Sequence, residues 1–180
     1  MASQIENTGI PTREQIEATL PSAERRAKGP YATIECWQRI PCDPCVASCP
    51  LGAIAEMANI NDLPELDHGT CTGCGACIAL CPGLAVFVID ETYGKPDEAL
   101  IRIPHEFAPL PEAGSTVRAL GRNGKYICDA TVKRVQKTKS ATNVLHLVIP
   151  KEYILDIRAI EPLTATGHCE EHSDEAIPIK

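Results

Sequence analysis

Two stretches of this chain read almost alike: Cys42-Asp-Pro-Cys45-Val-Ala-Ser-Cys49-Pro50-Leu-Gly-Ala-Ile54 and Cys74-Gly-Ala-Cys77-Ile-Ala-Leu-Cys81-Pro82-Gly-Leu-Ala-Val86. Eight of the ten cysteines lie in or just before these repeats. Thiolates at this density and spacing hold iron and sulfide, so the surrounding chain has to fold around its inorganic centres.

The second repeat begins one cysteine earlier, at Cys71, which gives C-x2-C-x2-C-x3-C-P. In that spacing the fourth cysteine ligates the other of two clusters. Cysteines two residues apart in a tight loop wrap three corners of one cube, whereas the cysteine after three further residues sits on a helical turn and points elsewhere. The rule assigns Cys36, Cys42, Cys45 and Cys81 to one 4Fe-4S cluster, and Cys71, Cys74, Cys77 and Cys49 to the other. Pro50 and Pro82 close the motifs where no N–H is needed. Cys36 is the least regular ligand, because Trp37-Gln-Arg-Ile-Pro41 separates it from Cys42 and no other cysteine lies nearby to replace it. A zinc site, which takes four ligands in two pairs, leaves the x3-C-P endings unexplained. Disulfides are the other alternative for so many thiols.

On these motifs, residues 31–92, a third of the chain, resemble a two-cluster bacterial-type ferredoxin, a family that shuttles single electrons. The family usually has two residues where this chain has five between Cys36 and Cys42. The expected fold class is α+β, with a β-α-β-β-α-β arrangement in miniature. It has a strand over 31–37, a helical turn over 47–55, a short hairpin over 54–66, a second helical turn over 77–84 and a closing strand over 84–90. Val46, Ile54, Ile78 and Val86 should fill the small core between the repeats. Gly73 and Gly75 suit a loop whose N–H groups approach cluster sulfurs, while in the first motif Asp43, followed by Pro44, stands at the place matching Gly75. The Cys71 cluster is therefore expected to have the higher potential. Without iron, residues 31–92 are expected not to fold.

Around this segment the chain changes character. Residues 1–30 form a polar arm, with Thr12 and Gln15 placed as a capping box and Ser22 opening a second helical piece. The arm reads either as a frayed terminus or as an extension lying on a partner subunit. Residues 93–163 alternate at 100–103, 116–120, 125–135 and 144–149, with Asn123-Gly124 as a hairpin turn. They predict a small all-β barrel or sandwich, with a one-turn helix near 150–153 and a last strand over 154–160. Residues 164–180 read as a flexible acidic tail. Within it, Cys169 with His168 and His172 is a weak metal motif. Cys128 reads as a buried small apolar residue of a strand. His68 reads as a polar loop histidine.

Net charge is −7, which argues against nucleic-acid binding, and the basic run at Lys133, Arg134, Lys137 and Lys139 reads as a solvated hairpin. No stretch approaches a membrane span and no apolar signal segment opens the chain, so a cytoplasmic protein is expected. No dinucleotide fingerprint, P-loop or flavin motif is present, so no catalytic residue is expected. The chain conducts electrons and leaves substrate chemistry to others.

The stretch Glu35-Cys-Trp-Gln-Arg-Ile-Pro-Cys-Asp-Pro-Cys45, followed by a β-module, also resembles the small iron-sulfur subunits of FAD-dependent dehydrogenases of anaerobic bacteria and archaea, including those acting on proline-like amino acids. That resemblance implies a hetero-oligomer. A sister subunit would oxidise a substrate at FAD, and these clusters would pass electrons singly to a second flavin or an external acceptor. Two alternatives are a free-standing soluble ferredoxin with an auxiliary β-domain, and a scaffold whose clusters are structural.

Overall fold

The computed structural model describes residues 4–163. The acidic tail, with His168, Cys169 and His172, lies outside the described residues. Three short helices open the chain: α1 (Gln4–Thr8), α2 (Arg13–Glu17) and α3 (Ala23–Arg26). Next come β1 (Tyr31–Ile34), α4 (Pro44–Ser48) and β2 (Val86–Asp90). The strands β3 (Glu98–His105), β4 (Thr116–Gly121), β5 (Tyr126–Gln136) and β6 (Asn143–Pro150) lead through a 3-10 turn (Lys151–Tyr153) to β7 (Ile157–Ile160). All seven strands join in one antiparallel sheet, ordered β1-β2-β3-β6-β5-β4-β7. The sheet curls until β7 approaches β3, although the two do not pair. Among the described residues no helix is long and apolar enough to cross a membrane.

The run Val86-Phe-Val-Ile89 lacks the polar alternation of a half-solvated strand, and β2 is accordingly covered on both faces. Phe87 and Ile89 point into a large core shared with Tyr31, Ile101, Leu147 and Ile157. Val86 and Val88 point the other way, into a small core with Ala32, Ile54, Ile78, Cys45 and Cys77. The expected fillers Ile54, Ile78 and Val86 are buried there, and Val46 packs against them. Since β2 pairs with β3, the sheet passes without a break from the cysteine-bearing segment into the strands that follow it.

Several expected elements are shorter or shifted. The helical turn of the first motif is α4, which starts at Pro44 and stops before Cys49, where the backbone turns extended (φ −85°, ψ 107°). The second motif forms turns over 76–80 and no helix. The hairpin over 54–66 reduces to one bridge, Ile54 to Leu66. Asn123-Gly124 does form the β4–β5 turn, with Gly124 at φ +72°. Cys128 is half-buried against the large core.

Part of the amino-terminal arm docks on its own chain. Thr12 caps α2 through the full capping box with Gln15, and Ser22 caps α3. These caps aim Ile16, 6% exposed, into the large core of the same chain. Arg26 then grips Glu91 with two bonds of 2.6 and 3.0 Å, and Tyr31 donates its hydroxyl to that carboxylate. A polar composition concealed this docking because two apolar residues, Ile16 and the partly buried Leu20, and a few charges carry it.

A buried ion cluster fastens the first motif to the far end of the sheet. Glu35 immediately follows β1, and its carboxylate meets Arg122 from the β4–β5 turn and Arg158 from β7. Arg158 lies over the Phe87 ring, 4.6 Å from its centroid, and donates to the carbonyls of Ile154 and Ile157. Burial pushes its pKa down to about 10, with Glu35 opposing that shift and Arg122 adding to it. Removing one partner from a buried pair strands the remaining charge. Glu35→Ala is accordingly expected to cost about 3–5 kcal/mol in chemical denaturation. A loss below about 1 kcal/mol, the scale of a solvent-exposed pair, would show that the latch is not structural.

Candidate metal centre

Cys36 leaves the end of β1, Cys42 is anchored by its N–H to the Ile60 carbonyl at 3.1 Å, and Cys45 occupies the first turn of α4. Pro44 suits the first helical position, where a missing N–H costs nothing. Burial raises the pKa of the Cys36 thiol, and the nearby thiols of Cys81 and Cys42 add to the rise. Burial does the same to Cys45, again with Cys81 and Cys42 as neighbours. The fold thus brings Cys36, Cys42, Cys45 and Cys81 into one neighbourhood, although Cys81 belongs to the second repeat.

The reciprocal group forms around the second motif. Cys49, Cys71, Cys74 and Cys77 line one pocket together with Ala32, Ile54 and Leu66. Burial pushes the Cys77 thiol up to about 12, and Cys71, Cys74 and Cys49 are the thiols that raise it further. At Cys49 burial works upward, but the N–H groups of Leu51, Ala53, Ile54 and Gly52 outweigh it and hold the thiol below its ordinary value. The Ala53 N–H lies 3.2 Å from the Cys49 Sγ, and the Gly73 N–H 3.4 Å from the Cys71 Sγ. Cys45 and Cys77 are buried while Cys74 is exposed.

Among the described residues no three His, Cys, Asp or Glu side chains are close enough to share one metal ion. Four thiols around one space match the four corners that a cube of iron and sulfide offers to protein ligands. The cavity's donor set, its apolar lining and its backbone N–H groups aimed at sulfur all fit a 4Fe-4S group.

Two arginines that belong to no sequence motif hold the second loop. Arg102 of β3 donates from Nη1 to the carbonyls of Gly73 (2.9 Å) and Cys74 (3.2 Å). Its Nε–H is buried without an acceptor among the described residues. Arg25 of α3 donates to the carbonyls of His68, Gly29, Pro30 and Cys71, the last at 2.6 Å. The signal for Arg102 was present: it shares the strand face of Leu100, opposite Ile101 and Ile103, in a run from Ala99 to His105 that is otherwise buried. Arg25 left none, since basic residues at a helix C-terminus are ordinary dipole partners. His68 contributes its carbonyl to this clamp, and burial, then Arg25, lowers its pKa.

The loop also requires glycine. Gly73 sits at φ +65°, and a Cβ there would lie 2.5 Å from the Pro30 carbonyl carbon, a contact no small shift relieves.

Comparison with known proteins bears on the same segment. Residues 64–87 match the 4Fe-4S binding domain family. Over 47 residues the chain is 45% identical to one of the subunits of the ion-translocating oxidoreductase complex of Methanosarcina acetivorans. The match covers 26% of this chain and 17% of that protein. No solved structure matches the chain.

Gly73→Ala should reduce the iron held after anaerobic reconstitution, whereas Gly83→Ala, where a Cβ meets nothing within 4 Å, should not. Equal iron in the two variants would show that the approach of Pro30 does not shape the centre.

Proposed function

We propose that this chain is an electron-transfer subunit carrying two 4Fe-4S clusters, one on Cys36, Cys42, Cys45 and Cys81 and the other on Cys71, Cys74, Cys77 and Cys49. The reading rests above all on the interleaving of the thiols, each group taking three cysteines from one repeat and one from the other. Crossed ligation of this kind is how two clusters share one small fold. The match to a 4Fe-4S binding domain supports iron-sulfur chemistry at residues 64–87. The similarity to a subunit of an oxidoreductase complex supports work within a larger assembly.

In the finer form of the proposal, residues 31–92 conduct single electrons and residues 93–163 brace them for association with partner subunits. The partner is an FAD-dependent dehydrogenase, which performs the substrate chemistry; the chain supplies no catalytic side chain. Its resemblance around residues 35–45 to the small subunits of such enzymes supports this choice.

Anaerobic affinity purification, with iron, sulfide and flavin quantified, tests the proposal. The expected result is about eight irons per chain together with a flavoprotein. Two clusters on an isolated, redox-active chain would favour a free-standing carrier. Clusters that undergo no redox change within about −700 to +450 mV would reduce the chain to a scaffold.

The crossed wiring has its own test. Cys81→Ser should damage the cluster of the first repeat, and Cys49→Ser that of the second, as followed by the two electron paramagnetic resonance signals. Loss of the local cluster in each variant would reverse the assignment.

A further inference from the structure

The two proposed clusters sit in different electrostatic surroundings, and the alternation of the strands creates the difference. Along β1, Ala32 and Ile34 face the cysteine core while Tyr31 faces the large core, so Glu35 projects with Tyr31, away from the thiols. Arg122 and Arg158 follow Glu35 to that far side, where its carboxylate offsets part of their charge. Arg102 has the opposite placement. It pairs in register with Val88, a residue of the cysteine core, and its guanidinium lies against Gly73, Cys74 and Gly75.

Among the described residues no acidic side chain meets Arg102, and its hydrogen bonds end on neutral carbonyls. Arg25 likewise ends on four carbonyls, including that of Cys71. The charged neighbours do not cancel these cations. Asp67 next to the loop is exposed and accepts from the Gly69 N–H and the Thr70 hydroxyl. His146, across the strand from Arg102, has a pKa lowered to about 4 by burial, then by Arg102 and Arg134. His68 is shifted in the same direction by burial and by Arg25. Around the first group, the corresponding loop carries Asp43, which makes no side-chain cap.

We infer that Arg102, assisted by Arg25, raises the reduction potential of the cluster held by Cys71, Cys74, Cys77 and Cys49 above that of its partner, so that an electron entering the chain comes to rest there. The inference deepens the two-cluster reading and rests on it. Reduction adds one negative charge to a cluster, and a fixed cation beside it favours the reduced form. The N–H groups directed at Cys49 and Cys71 act in the same sense. Arg102 is a positioning residue, acting through the loop it holds and the charge it carries. Cys74 of this group is exposed, which offers an acceptor a route to it.

The test uses the iron-loaded full chain in a potentiometric titration that follows both clusters, with the Cys49→Ser variant identifying the signal of the second group. Arg102→Gln removes the charge and keeps a side-chain amide donor. It should lower the reduced-to-oxidised ratio of that cluster at least tenfold, equivalent to about 59 mV for one electron, and leave the other unchanged. Arg102→Lys should keep most of the wild-type potential. An unchanged potential in Arg102→Gln, an equal shift of both clusters, or loss of the cluster from both variants would overturn the inference. Wild-type protein holding only about four irons would instead defeat the two-cluster reading beneath it.

Discussion

Strand β2 has water on neither face, and most of the architecture follows from that. One side of Val86-Phe-Val-Ile89 covers the cysteine core and the other covers the barrel-like core of the sheet. Polar backbone groups in such a strand must all be paired laterally, and β1 and β3 supply those partners. The wall is shared by two very different interiors. One holds Ile101, Leu147 and Ile157, and the other is small and rich in sulfur. With aromatics at 4% of the chain, neither side has bulky side chains to spare, and each core needs the strand that the other supports.

Arginine takes over tasks that apolar packing does elsewhere. The loop over 71–77 joins no strand, and the carbonyls of Cys71, Gly73 and Cys74 take donors from outside it. The planar guanidinium of Arg25 reaches four carbonyls of three segments at once, which a lysine could not do. Arg102 does the same from the sheet side, and Arg122 with Arg158 fixes Glu35 beside Cys36. The cysteine loops are thereby referenced to α3, β3 and β7, elements distant in sequence.

Legibility in the sequence divided along physical lines. Features that depend on local chemistry were readable: the capping box at Thr12, the Asn123-Gly124 turn, the alternating strands and the repeat of the cysteine motifs. The apolar fillers Ile54, Ile78 and Val86 were readable for the same reason, since they recur at matching places in the two repeats. Features that depend on long-range meetings were not. The continuation of the sheet from β2 into β3 needs a pairing that no short pattern encodes. The docking of the arm rests on Ile16 and on Arg26 meeting Glu91. Helix content around the cysteines was overestimated because the loops follow the needs of the thiols more than intrinsic propensity.

The division of charge across the sheet ties these points together. A strand sends successive side chains to opposite faces, so Glu35 and Ile34, one residue apart, serve different interiors. The same rule at β3 puts Arg102 with the thiols and Ile101 with the large core. A structural need, that each buried guanidinium find partners, is met on one face by a carboxylate and on the other by neutral carbonyls. The first solution sets one carboxylate against two guanidiniums on the large-core side, whereas the second sets guanidinium charge with no carboxylate against the second cysteine loop. The pleat of the sheet thus converts a folding requirement into an electrostatic difference between two otherwise similar groups of four cysteines, and such a difference can give an electron relay its direction.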